Sequence, residues 1–291
     1  MNFLTGTDDS SPRIILYGPP GIGKSTFASK FPKPVAADIE SGMRSIGTAR
    51  IELHDKAWSV CLATIKEMIL DPGPHESVII DTADRLEEKA IAAVLNECRK
   101  KSLIEFKYGD GYEAVLQKWR ELLFVLDGAR DKGRTVIVLA HVASKRVSDP
   151  TIGEYEQYTP AMGRRPWSHT EQWADNVFFA RRETLLNKDG IAVVSESRQL
   201  CTEAATGFVA KNRWNLPPVM DLEYPEFALH RAKGTRSAGE IESSIIELVK
   251  GSEIESKVIA AIAAALGDRR RLLAIERAAE KKTSELKGQS T

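Results

Sequence analysis

The chain has 291 residues, with 41 basic and 41 acidic side chains and a formal net charge of zero. Balanced charge excludes a surface that is basic throughout, so any polyanion must be held by local patches. Three isolated cysteines, Cys61, Cys98 and Cys201, exclude a disulfide framework and paired zinc spacing, and are expected as buried thiols in a reducing compartment.

The opening stretch Met1-Asn2-Phe3-Leu4-Thr5-Gly6-Thr7-Asp8-Asp9 is acidic and has no leader-peptide core. No apolar run approaches the ~18 residues of a membrane span, so a soluble, cytoplasmic protein is expected. Arg13-Ile14-Ile15-Leu16-Tyr17 predicts a buried strand, and Thr26 to Lys30 can open a helix. Between them lies Gly18-Pro19-Pro20-Gly21-Ile22-Gly23-Lys24-Ser25, a complete P-loop in the strand–loop–helix context that the motif requires. Gly18, Gly21 and Gly23 let the backbone curl so that N–H groups, on through Ile22 and Thr26, face phosphate oxygens. Lys24 is expected at the β- and γ-phosphates, and Ser25 on Mg²⁺. The pattern predicts a site for a nucleoside triphosphate, ATP with Mg²⁺.

Pro34 to Asp38 reads as a second strand, and Trp58 to Leu70 as a helix stopped by Pro72-Gly73-Pro74. Ser77-Val78-Ile79-Ile80 ending in Asp81 has the form of a Walker B strand, whose Asp81 is expected to hold Mg²⁺ through a water. Thr82 follows, so the chain lacks the Glu that many helicases and clamp loaders carry there. No Asp-x-x-Gly or Asn-Lys-x-Asp is present, and Asn187-Lys188-Asp189-Gly190 only looks similar, which argues against a GTPase. A hydrolase still needs a carboxylate to orient water. Glu40 is the candidate, just past the carboxyl end of the second strand, where open α/β sheets bind ligands. Asp38 and Asp84 are the secondary candidates.

Arg85 to Lys101 and Tyr112 to Asp131 predict helices, and Thr135 to Ala140 a core strand ending in His141. Val142 to Arg165 is expected as a loop or small hairpin. With Trp167 just beyond, it carries Lys145, Arg146, Tyr155, Tyr158, Arg164 and Arg165, cations and aromatics suited to a single nucleic-acid strand, alongside Glu154 and Glu156. Asn176 to Ala180 is a further strand. Short strands around Ile191 to Val194, Arg198 to Thr202, Phe208 to Lys211 and Phe227 to Leu229 suggest an antiparallel extension. Helices are expected over 240–250 and 253–284, with Ile254, Val258, Ile262 and Leu266 on one stripe. The alternation predicts an α/β fold: a mainly parallel central sheet with an antiparallel extension and a helical tail. The expected domains are 1–236 and 237–291.

Glu40 and Asp81-Thr82 resemble the RecA/RadA lineage of ATPases, which places its catalytic Glu after the strand that follows the P-loop helix. That resemblance implies that His141 reads the γ-phosphate. Phe208-Val209-Ala210-Lys211-Asn212-Arg213-Trp214 resembles the paired basic fingers of RadA, RecA and KaiC, implying that Lys211 and Arg213 reach the γ-phosphate of a neighbouring subunit. Over roughly residues 12–232 the chain is similar to phage- and prophage-encoded RecA-like ATPases of single-strand annealing and recombination. Its Tyr108-Gly109-Asp110-Gly111-Tyr112 belongs to that match. The resemblance implies a RecA-like fold, a homo-oligomer (ring or filament), single-stranded DNA and a recombination or replication protein as partners. A KaiC-like regulatory ATPase that gates a protein partner without touching DNA is the alternative, and a small-molecule kinase a third reading.

Overall fold

The apolar run becomes β1 (Arg13–Gly18), with Ile14 to Tyr17 fully buried. The computed structural model describes residues 11–71, 73–186, 192–235, 238–252, 254–265 and 269–288. Met1 to Asp9, Asn187 to Gly190 and Leu266 lie outside them. After β1 come α1 (Lys24–Ala28), β2 (Pro34–Asp38), β3 (Ala49–Glu52), α2 (Trp58–Leu70), β4 (Ser77–Asp81), α3 (Ala83–Glu97) and α4 (Asp110–Asp131). Then follow β5 (Thr135–Asp149), β6 (Gly153–Pro160), α5 (Arg164–Trp173), β7 (Asn176–Leu186), β8 (Ala192–Cys201) and β9 (Val219–Asp221). The sheet order is β3-β2-β4-β5-β1-β7-β8-β9, with β6 paired to β5. Strands β3 through β7 along that order are parallel, and β8 and β9 continue antiparallel, so the expected fold class is the one adopted.

Alternate residues of the central strands face opposite layers. Ile15, Tyr17, Val78, Ile80, Val136 and Val138 form one core with Ile65 of α2, Leu86 of α3 and Trp119 of α4. Parallel strands buried on both faces read as continuous apolar runs, which is why these elements were legible.

Elsewhere the chain departs from expectation. β5 does not stop at His141 but runs on to Asp149 and pairs antiparallel with β6, so of the loop or small hairpin expected there the hairpin forms, as a direct continuation of the core strand. Its turn is closed by the Asp149 carboxylate, which accepts the N–H groups of Thr151 at 2.7 Å and Ile152 at 3.2 Å. Phe208 to Lys211 makes isolated bridges, with Tyr158, Ala205 and Val177, and is not a strand. The strand expected at Phe227 to Leu229 is helix: α6 spans Tyr224–Thr235. Pro225 and Glu226 in its first turn are helix-start signals that outweigh the short apolar run. Cys61 and Cys201 are buried as expected, whereas Cys98 is exposed.

Contacts divide the chain into two compact units. One runs to Arg213 and takes in Pro218–Tyr224; the other holds Trp214–Pro217 and the chain from Pro225 onward. In the second unit the single helix expected over 253–284 is two, α8 (Glu255–Ala265) and α9 (Arg269–Gly288), after α7 (Ala238–Val249). Ile241, Ile245, Ala265 and Leu272 form its core, with Val258 and Ile262 of the expected stripe packed against it. No helix among the described residues is long and apolar enough to cross a membrane.

Glu87 of α3 is 5% exposed, and its carboxylate accepts the Gly163 N–H at 3.1 and 2.9 Å, tying α3 to the residue before α5. Burial pushes this carboxyl up to about 7 from 4.5, the Gly163 hydrogen bond opposing the rise and Asp84 and Glu88 adding to it. A carboxyl raised in the folded state stabilises the fold below about 4.5, and that stability is lost as pH rises through about 7. The upper bound is roughly 3 kcal/mol. Glu87→Gln keeps an acceptor for Gly163 and removes the titration. Its unfolding temperature should exceed that of the unaltered chain at pH 8 by more than at pH 5; an equal gain at both would contradict this.

Candidate active site

The site is built at the carboxyl edge of the sheet, starting from the end of β1. A Cβ on Gly18 would lie 2.4 Å from the carbonyl oxygen of Ala180, so only glycine lets β1 stay against β7 while the chain turns into the loop. Gly23, at φ 110°, takes the left-handed conformation that sets the start of α1. The N–H of Ile22 reaches back to the Pro19 carbonyl at 3.4 Å and closes the curl. Lys24 is 6% exposed, and its ammonium donates to the carbonyls of Gly18 at 2.9 Å and Pro19 at 3.0 Å. Burial lowers its pKa against the opposing charges of Asp81, Glu40 and Asp84.

Ser25 donates its hydroxyl to Asp81 Oδ2 at 2.7 Å. Burial pushes the Asp81 carboxyl up to about 6, against the Ser25 hydrogen bond, with Glu40 and Asp38 adding to the rise and Lys24 opposing it. A hydroxyl and a carboxylate side by side are hard oxygen donors, the set that suits Mg²⁺ shared with phosphate oxygens. The donor set therefore fits the metal that the P-loop implies.

Three carboxylates approach this point, and their hydrogen bonds separate them. Asp38 is fully buried and accepts the N–H groups of Gly42 at 3.1 Å and Met43 at 3.3 Å, so it shapes the loop after β2. Asp84 accepts the His141 backbone N–H at 3.0 Å with one oxygen and meets His141 Nδ1 at 2.8 Å with the other. Burial raises its pKa, but the His141 bonds outweigh that and hold it below the usual carboxylate range. Glu40 alone keeps its carboxylate in the cavity. Its Oε1 is 3.5 Å from His141 Nε2, and its Oε2 accepts the Thr82 hydroxyl at 3.5 Å. The Asp84 carboxylate on Nδ1 turns the other ring nitrogen toward Glu40.

Glu40, Asp81, Thr82 and His141 share a cavity of about 300 Å³ with Pro20, Gly21 and Gly23 to Thr26 of the P-loop. Glu40 comes from the loop after β2, Asp81 from the end of β4, Thr82 from the residue after it and His141 from β5, and the fold brings them together at the loop after β1. One cation in the lining was not foreseen, Arg198 of β8. No local signal marks it, because β8 reaches the site only through its pairing with β7.

Lys211 and Arg213 lie elsewhere in this chain. The Lys211 ammonium donates to the carbonyls of Glu171 at 2.9 Å, Gln172 at 3.5 Å and Ala174 at 2.6 Å, at the carboxyl end of α5. Arg213 pairs with Asp175 at 3.1 Å, an aspartate that Arg13 also holds. Arg13 opens β1, so this pair stands at the far end of the strand from the P-loop.

On the β5–β6 hairpin Lys145 and Arg146 are exposed, and Arg146 pairs with Glu154 at 2.7 Å. Glu156 accepts the Ser144 hydroxyl at 2.7 Å. Tyr158 is 47% exposed and stacks on Phe179 with ring centres 5.6 Å apart. Trp167 is partly buried against the core, so it is less available than Tyr158 to a ligand.

A family model described as an AAA domain matches residues 10–214. Solved structures similar to this chain include the flagellar accessory protein FlaH from Methanocaldococcus jannaschii, 8% identical over 66% of this chain and 77% of that one, with a TM-score of 0.34. The KaiC-like protein PH0186 from Pyrococcus horikoshii OT3 is 12% identical over 66% of this chain and 79% of that one, with a TM-score of 0.39. No protein with a curated description matches the chain.

Proposed function

This chain belongs to the AAA domain family of P-loop ATPases, and from that premise we propose that it hydrolyses ATP as a RecA-like homo-oligomer acting on single-stranded DNA. The observation that carries the hydrolytic reading is the convergence of Glu40 and His141 on the Ser25–Asp81 pair in one cavity. Lys24 holds the β- and γ-phosphates, and Mg²⁺ on Ser25 and Asp81 would neutralise their charge. Glu40 orients a water for in-line attack on the γ-phosphorus and accepts its proton. The bond from the γ-phosphorus to the β-phosphate oxygen breaks, leaving ADP and phosphate. His141, fixed by Asp84, holds the other side of the same water or a γ-phosphate oxygen.

The DNA reading is supported by continuity. β5 runs without a break from His141 to Asp149, so a nucleic-acid strand bound by Arg146 and Tyr158, which share one face of the hairpin, pulls on the residue beside Glu40. This suits a phage-type recombination or annealing protein with a recombination or replication partner. The alternative, a KaiC-like ATPase gating a protein partner, is favoured by the ion pair of Arg146 with Glu154, which cancels charge that a phosphate would use. ATP turnover with and without single-stranded DNA separates them. Stimulation at low salt is expected, weakening as salt screens the phosphates. Turnover indifferent to DNA would discard the DNA reading in favour of the alternative.

A further inference from the structure

The strands that supply the site are not distributed evenly around β1. Asp81, Glu40 and His141 come from β4, from the loop after β2 and from β5, all on one side of β1 in the sheet order. Arg198 comes from β8, on the other side. A methyl group placed on Gly23 would lie 3.0 Å from its guanidinium. Arg198 is exposed, and among the described residues its guanidinium is neither in an ion pair nor seen to hydrogen-bond a side chain. Lys24 and Arg198 are the cations of this cavity. We propose that Arg198 is a phosphate-binding residue acting within its own subunit, gripping the part of the nucleotide tail that ATP and ADP share.

The argument is electrostatic and geometric, and it rests on the ATP reading above. The carboxylate side of β1 must take the metal and the attacked γ-phosphorus, because Mg²⁺ and the water-orienting Glu act there. A cation on the opposite side, against the glycine that precedes Lys24, then meets the α- and β-phosphates. Arg suits this position because its planar fork offers two parallel N–H donors to phosphate oxygens. It would also explain why an exposed arginine stands over the loop without a carboxylate to hold it there. Its role differs from that implied for Lys211 and Arg213, which concerns the γ-phosphate of another copy.

The test is equilibrium titration of the full chain with ATP and with ADP, both with Mg²⁺, for the unaltered protein, Arg198→Ala, Arg198→Lys and Lys24→Ala. Hydrogen bonds to charged groups are worth enough that Arg198→Ala should weaken both nucleotides, together, by roughly 10- to 100-fold. Arg198→Lys should recover part of that loss, and thermal unfolding of both variants without nucleotide should match the unaltered chain. Unchanged affinity in Arg198→Ala, with binding lost in Lys24→Ala, would overturn the role of Arg198 and leave the nucleotide site standing. Weakening confined to ATP would also overturn it, since that would put Arg198 on the γ-phosphate. No binding of either nucleotide by the unaltered chain would overturn the ATP reading and this role with it.

Discussion

Glu40→Gln is expected to bind ATP as the unaltered chain does and to hydrolyse it ~10²–10⁴-fold more slowly, the scale of a positioned acid–base group. The substitution keeps the size of the side chain and an acceptor for the Thr82 hydroxyl, which lies 3.5 Å from Glu40 Oε2. On the proposed mechanism it removes only the charge that would orient the water and take its proton. Asp84 cannot substitute, because both its oxygens are engaged by His141. Asp38 cannot either, since its buried carboxylate is held by Gly42 and Met43. Near-normal turnover in Glu40→Gln would remove Glu40 from the chemistry.

A second large effect is expected from Arg213, on the proposal that it serves the active site of a neighbouring copy. Its side chain is 55% exposed, and its pair with Asp175 is a surface interaction worth about 0–1 kcal/mol. Releasing it is inexpensive, and Asp175 keeps Arg13 as a partner. Lys211 is the less mobile prong, because its ammonium satisfies three carbonyls at the end of α5. A cation placed on the γ-phosphate in trans can be worth ~10³–10⁵-fold in turnover. Arg213→Ala should therefore bind ATP and hydrolyse it poorly. Mixing it with inactive Lys24→Ala should restore activity, since some mixed interfaces pair an intact P-loop with an intact Arg213. Absence of recovery in mixtures shown to co-assemble would end the trans role.

Much of the site was legible because its chemistry sits on short, contiguous pieces of chain. The P-loop is eight consecutive residues, and Asp81 ends an apolar run that can only be a buried strand. Glu40 could be placed because the loop after a core strand opens at the ligand-binding edge. What escaped depends on pairing between distant segments. Arg198 faces the cavity because β8 folds back on β7 with Arg182 opposite Arg198, a register that nothing near residue 198 announces. Lys211 and Arg213 looked like alternate residues of one strand. Their positions follow instead from the α5 carbonyls and from Asp175, and the helix that supplies those carbonyls was not foreseen. Glu40 ranked above Asp38 and Asp84 from its position alone, but what engages the other two carboxylates could not be read from the sequence. Asp38 is taken by the Gly42 and Met43 N–H groups and Asp84 by the backbone and ring of His141.

The central claim is that the cavity at the carboxyl edge binds ATP and that Glu40 turns binding into hydrolysis. Phosphate release, measured beside ATP binding on the same samples of the unaltered chain, Glu40→Gln and Lys24→Ala, tests it most directly. The expected pattern is binding with release in the first, binding without release in the second, and neither in the third. Equal release from all three would contradict the claim.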